Sequence, residues 1–391
     1  MISVLAAYIA LVGGTVYPMN RPPIENCTLL IEDGRIVELG PDVMIPADSQ
    51  RIDVSGSIIT PGFVDAWTQL GLVEISGVAD SNDGQSGRTD VTAANRAADS
   101  YNPDSSVIPI QRAHGVTTAL VAPSGSVISG TAAVFDLDGA RPVVADAGLV
   151  VRLGGQSGGA RGAVFAWVRS VFTDALAFVS NRRLFERNEM RTLAVSRLDL
   201  EAVAPVAQGK RKVFVRVDRR ADILAVLRWA KSKKLHLVLV GAREAWLEAK
   251  RLAADGVGVI LDPTSNDPGG FDRLRSRADA ARILLAAGVR VAVSTFSTHN
   301  VRKLRQWAGN AVREGVDYMD ALRTITAHPA QLLGLKRRGV LSPGRIANLV
   351  VWSDDPLELS SRAELVFVQG RRLEMGHRQQ KLFERYRRIN R

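Results

Sequence analysis

Cysteine is almost missing. Cys27 is the only one in 391 residues, so no internal disulfide can form and a thiolate metal cluster is excluded. Histidine is scarce as well, at five residues: His114, His236, His299, His328 and His377. Aromatic residues are 6% of the chain, and no base-stacking aromatic motif accompanies its positive charge, which argues against specific nucleic-acid binding. Several chemical motifs are also absent. No GxGxxG follows the first strand, so a dinucleotide-binding open sheet lacks support. The glycine-rich "RLGGQSGGARGA" (152–163) lacks the Gly-Lys-Ser/Thr ending of a phosphate loop and reads as a flexible loop at a barrel top. "APSGSVISG" (122–130) has the wrong spacing for a nucleophile elbow. There is no internal repeat and no low-complexity tract. No run approaches transmembrane length, so no membrane span is expected. The apolar opening "MISVLAAYIALVGG" has no basic start, and Gly13 and Gly14 interrupt it after about a dozen residues. It reads as a buried first strand, because "YIALVGGTVY" is rich in β-formers. A signal sequence stays open, and a soluble, cytoplasmic chain is the expectation.

What is present is ordinary globular material. Hydrophobic residues are 46% and charged residues 23%, so disorder cannot dominate. The length suits a large core, and two folding units are expected. The formal charge of +11 comes mostly from arginine. Such a surface can attract nucleic acid, anionic lipid or acidic substrates, but the charge is scattered along the chain.

The texture changes twice along the chain. Residues 1–60 read as all-β, with "EDGRI" (32–36) marking a tight hairpin. From Pro61 to about Leu335, apolar strand candidates alternate with helices. The strands are "GFVDAW", "TTALVAP", "LVVRL", "TLAVSR", "KVFVRVD", "LHLVLVG", "VGVILD" and "VRVAVST". That alternation predicts parallel strands with crossover helices, and about eight of them over about 270 residues suit a (β/α)8 barrel. After Gly334 the β texture returns. The expectation is an α/β chain: a (β/α)8 TIM-type barrel over 61–334, plus a small β-sandwich domain built from 1–60 and 335–391. The end, "HRQQKLFERYRRIN", reads as a basic helical tail. Leu382, Phe383, Tyr386 and Ile389 recur at helix spacing, which predicts packing on the body. Docking of a partner or a membrane surface stays open.

The stretches "GRIVELG", "ITPGFVDA", "GVTTALVAP", "ITAHPAQLLGL" and "GVLSPGRIANLVVWSDDPL" together resemble the metal-dependent amidohydrolase superfamily, and within it the imidazolonepropionase-like branch. The resemblance covers nearly the whole chain and implies the same barrel and sandwich. It also implies a metal, usually zinc, held by a His-x-His pair on strand 1 and single histidines on strands 5 and 6. An aspartate on strand 8 would take the proton of the metal-bound water. Carried over residue by residue, the strand 1 pair falls on Trp67 and Gln69. The strand 5 and 6 histidines fall near Asp218 and Gly241, and the strand 8 aspartate near Phe296. None of these side chains matches the resemblance.

The remaining histidines do not replace them. His114 belongs near a helix end, His328 in a helix, and His377 in the tail. His236 opens a strand, at the end away from barrel chemistry. His299 alone lies near a strand's C-terminal end, and with Asp218 it is too little for zinc. Asp80, Asp83 and Asp90 follow strand 1 and read as a solvated loop, with a hard-cation site as the alternative. Arg219 and Arg243 join Asp218 as charged residues at the barrel mouth, where salt bridges are the plain expectation and metal-free acid/base chemistry the sharper one.

The expectation is thus an amidohydrolase-family protein without the usual metal centre, acting as a pseudoenzyme or as a binding or partner subunit. The alternative is an active hydrolase of C–N bonds in cyclic amides or dipeptide-like substrates, using a non-standard site. No cofactor is expected. Zinc or another divalent metal follows if family chemistry is retained. Expected partners are a small molecule at the barrel mouth and a second copy or an active relative.

Overall fold

The computed structural model describes residues 8–88, 90–155, 159–265 and 267–387. The β-branched runs at the start form strands β1 (Tyr8–Val16), β2 (Ile24–Glu32), β3 (Arg35–Gly40), β4 (Gln50–Asp53) and β5 (Ile58–Pro61). Asp33 and Gly34 both have positive φ, 47° and 77°, which a tight hairpin requires and Asp-Gly supplies. β2 and β3 accordingly pair antiparallel across it.

Eight further strands make the large sheet: β6 (Phe63–Thr68), β7 (Val116–Val121), β8 (Ile128–Asp136), β9 (Pro142–Arg152), β10 (Lys212–Val217), β11 (His236–Gly241), β12 (Gly258–Leu261) and β13 (Val291–Val293). They pair in chain order. Three last strands, β14 (Leu349–Trp352), β15 (Ala363–Val368) and β16 (Arg371–Arg372), return to the first sheet. Its order is β16-β15-β14-β5-β1-β2-β3, with β4 on β1. One sheet therefore takes strands from both ends of the chain. Leu11, Leu29, Ile31, Leu349 and Phe367 share its buried cluster.

The large sheet curls into a nearly closed barrel. Alternation sorts its residues by face. Val64, Leu120, Val134, Val150, Phe214, Val238, Ile260 and Ala292 fall in the inner cluster. Val151, Val213, Val215, Leu239, Val259 and Val293 pack outward against helices. The edge strands β6 and β13 meet through side chains. Asp65 on β6 accepts from the Ser294 hydroxyl and from Thr295 Oγ1 at 2.9 Å. Thr68 Oγ1 reaches back to the Ser297 carbonyl at 2.7 Å.

Sequence and structure differ at four places. "TLAVSR" is not a strand: Ser196 caps the helix Arg197–Ala207, its Oγ accepting from the Asp199 amide. Instead "ISGTAAVFD" forms β8, antiparallel to both neighbours. The strand count of eight thus stands with a different member, and the wall is not all parallel. Third, Arg161–Ser180 is one helix of 20 residues, long and apolar enough to cross a membrane by length and composition, although no such run was expected. Its Val168, Val171, Phe172, Ala175 and Phe178 are buried in the protein core, and its buried Asp174 pairs with Arg191. It is packed as a core helix. Fourth, the tail helix Arg378–Tyr386 buries none of its residues. Leu382, Phe383 and Tyr386 face solvent, so these side chains do not pack on the body; Ile389 lies outside the described residues.

The two sheets join at the barrel base. Trp352 of β14 stacks on Phe63 of β6 with ring centroids 5.1 Å apart. Asp136, at the end of β8 and 2% exposed, pairs with Arg338 at 2.5 Å. It also accepts from Thr118 Oγ1, Asn348 Nδ2 and Gln369 Nε2. A buried carboxylate is tolerated only when paired and hydrogen-bonded this fully.

Candidate functional site

Inner-facing residues at the C-terminal strand ends form the barrel mouth. On β9 and β10 the inner apolar pair Val150 and Phe214 is followed, two residues on, by Arg152 and Arg216. These two arginines line two adjoining cavities. The smaller, about 110 Å³, lies over Trp67, Gln69 and Phe296, with Ser124, Ser129 and Thr298 on its polar side. The larger, about 420 Å³, holds Asp218, Arg243 and Arg273 beside the shared pair.

Trp67 is 7% exposed and meets Phe214 edge-to-face at 6.0 Å. Its indole closes the barrel interior below the smaller cavity. Gln69 Nε2 donates to Ser124 Oγ at 3.0 Å and to the Gly84 carbonyl at 3.1 Å, tying the loop after β6 to the loop after β7. Phe296 adopts a left-handed backbone, φ 52°, and brings its ring under the Arg216 guanidinium at 5.9 Å. Asp218 accepts from Arg243 Nη1 at 3.2 Å. Gly241 ends β11 at φ +79°, and a Cβ there would stand 2.7 Å from Asp218 Oδ1. Neither the backbone nor the space at Gly241 suits an imidazole.

Arg219 and His299 are not brought to these cavities. Arg219 is exposed and caps the helix Arg220–Lys233, beside a separate surface depression. His299 Nε2 lies 2.8 Å from the Glu74 carbonyl, holding the loop after β13 to the loop after β6. The other histidines do not line these cavities. His114 and His328 each bond a backbone carbonyl through Nδ1, at 2.8 Å and 3.0 Å. His377 caps the tail helix, and His236 opens β11. Asp80 and Asp83 are exposed, and Asp90 is taken by Arg88 at 2.6 Å.

For a divalent metal the donor set at the mouth does not fit. Indole and phenyl offer no lone pair, and the one carboxylate of the carried-over set is already ion-paired. Among the described residues no three His, Cys, Asp or Glu side chains stand together, whereas zinc takes three or four such ligands.

Arginine side chains outnumber carboxylates around the larger cavity. Arg216 is exposed to the cavity solvent while protein surrounds it. Burial pulls its guanidinium below the ordinary arginine range; Asp218 opposes this, and Arg152, Arg243 and Arg273 add to it. The arginine pair was not among the residues singled out in the sequence. Its signal was there: "LVVR" and "FVRVD" each put an arginine two residues past an inner apolar position.

Comparison with known proteins places this geometry. The amidohydrolase family model matches residues 216–373. The chain is 26% identical over 373 residues to imidazolonepropionase from Paracoccus denitrificans, covering 87% of this chain and 91% of that protein. A shorter match, 44% identity over 46 residues, is to dihydroorotase from Mycobacterium tuberculosis and spans only 11% of that protein's length. The crystal structure of an amidohydrolase from Thermotoga maritima superposes with TM-score 0.85 at 26% identity, over 94% of this chain and 99% of that one. The barrel, the second sheet and these matches agree: residues 216–373 carry an amidohydrolase-family domain, and along most of its length the chain is similar to imidazolonepropionase and to a solved amidohydrolase.

Proposed function

We propose that the protein is an amidohydrolase-family barrel that works without the family's divalent metal and uses its mouth to hold a small molecule. Trp67 is the observation that carries this. A near-buried indole packed on Phe214 stands at the position where the family resemblance implies the first metal-binding histidine. Indole is both larger than imidazole and unable to coordinate. Gly241 and Phe296 support the same reading, since neither side chain can donate to a metal.

Cleavage of a C–N bond would require a base free to accept a proton at the mouth. Asp218 and Asp272 are the carboxylates that line the larger cavity; Asp218 already accepts from the Arg243 guanidinium and backbone amide, and Asp272 from the Arg161 guanidinium and the Gly155 amide. Their engagement favours holding a ligand over turning one over.

The test is elemental analysis of protein purified without chelator. Zinc, iron and manganese should each be far below one ion per chain, and dialysis against chelator should leave the unfolding midpoint unchanged. Near-stoichiometric metal that stabilises the fold would overturn the proposal, because a ligand bound only by the native state raises stability.

A further inference from the structure

The helix Arg378–Tyr386 is joined to the body by the residues just before it. Leu373 and Met375 pack on the main core, and His377 caps the first turn, its side chain accepting from the Gln380 amide. No residue of the helix is buried. Among the described residues its side chains bond or stack only with one another, Gln380 with Glu384 and Arg385 over Tyr386. The sequence is nonetheless sorted by face. At about 100° per residue, Leu382, Tyr386 and Phe383 share one sector of about 100°, interrupted by Gln379 alone. They stay 42%, 63% and 64% exposed, and clustered exposed apolar side chains mark interaction sites. Arg378 and Arg385 border the sector on one side and Arg387 on the other. Residues 377–391 carry six Lys and Arg against one Glu, so the rims are cationic throughout.

We infer that this helix docks the protein on an anionic membrane surface, with Leu382, Phe383 and Tyr386 entering the interface and the basic rims at the headgroups. An apolar stripe between cationic rims is the pattern of a helix that lies in a membrane interface. About four to eight basic residues on such a helix are what an anionic leaflet attracts. The nine helical residues span about 14 Å, half of a bilayer core of roughly 30 Å, so the helix can lie along a membrane but not cross it. Charge decides between occupants. A second copy brings the same rims and the same formal charge of +11, so pairing copies through this face would set like charges together. An anionic surface meets both the rims and the body with the opposite sign. The docking is independent of what the barrel mouth holds.

Vesicle co-sedimentation of the full chain tests this with two compositions: phosphatidylcholine alone, and phosphatidylcholine with about one third phosphatidylglycerol. The anionic vesicles should bind at least about tenfold more tightly, and added salt should weaken that binding. Leu382→Ser with Phe383→Ser removes the stripe and should weaken binding at least about tenfold. Lys381→Gln with Arg385→Gln removes two rim charges, at about fivefold each, and should weaken it about tenfold or more. Thermal midpoints of both double variants without lipid should match the parent's, because these side chains lie outside the core. Arg228→Gln with Lys250→Gln removes the same charge from exposed positions on barrel helices and should change binding less than about threefold. Equal binding to neutral vesicles, no binding at about 1 mM anionic lipid, or an equal loss from the barrel pair would overturn the docking. A lowered midpoint in the serine variant would overturn it too, since the stripe would then be packed on the body. Sedimentation velocity without lipid covers the remaining occupant: a parent dimer that the serine variant splits would give this face to a second copy instead.

Discussion

Asp65 closes the barrel seam and is fully buried, so its ionisation is coupled to folding. It accepts hydrogen bonds from the Ser294 and Thr295 hydroxyls and from the Trp67 amide, and among the described residues no cation pairs with it. Burial pushes its carboxyl up to about 6 from the ordinary 3.8, and the hydrogen bonds offset only part of that. The folded chain therefore holds this proton more tightly than the unfolded chain does. The stability this contributes is full below pH 3.8 and is lost as pH rises through about 6. At about 1.4 kcal/mol per pH unit, the loss amounts to about 3 kcal/mol. The Asp65→Asn variant keeps the shape and does not titrate. Urea unfolding of both proteins between about pH 4 and about pH 7 isolates the effect, since every other carboxylate is common to the pair. The stability of the parent minus that of the variant should fall by about 3 kcal/mol across the range. A difference that stays constant with pH would refute the assignment of a raised, unpaired carboxyl at the seam.

Two further substitutions probe the mouth and the base. Trp67→His removes most of a packed indole and should lower the urea unfolding free energy by about 2–4 kcal/mol; a neutral result would mean that the ring does not fill the barrel interior. Arg338→Ala leaves the Asp136 carboxylate buried without its cation and should lower stability by about 3–5 kcal/mol, read as a drop in the thermal midpoint. A drop no larger than that of an exposed arginine would show that Thr118, Asn348 and Gln369 suffice for Asp136.

The architecture was legible where pattern and chemistry coincided. Asp33-Gly34 marked its hairpin because only a few residue pairs accept two positive φ angles. "FVDAW", "VFVRV" and "LVLV" marked barrel strands because residues buried on both faces leave a continuous apolar run. β8 was harder to see. Ser129, Gly130 and Thr131 dilute its apolar character, and nothing in a single strand tells its direction. "TLAVSR" had the right composition for a strand, but Ser196 spends its hydroxyl on capping a helix, and that tertiary choice overrode β-propensity. At the site, Trp67, Gln69, Asp218 and Phe296 were reached through the family resemblance, carried over residue by residue onto the strands. His299 did not reach the cavity because its ring is drawn to the Glu74 carbonyl, a contact between residues far apart in the chain. The arginine pair was missed because its meaning lies in register: either residue alone reads as one more basic side chain in an arginine-rich protein.

The reversed direction of β8 has a mechanical consequence. In an all-parallel wall every strand would deliver its last residues to the mouth and its first to the base. β8 does the opposite, so Ser129 near its start faces the smaller cavity while Asp136 at its end is pinned to Arg338 and Asn348. Nine residues of extended chain, roughly 30 Å, act as a tie rod from the smaller cavity to the sheet junction. Loosening either anchor should register at the other in amide exchange along this strand, giving the second sheet a physical route to sense what occupies the mouth.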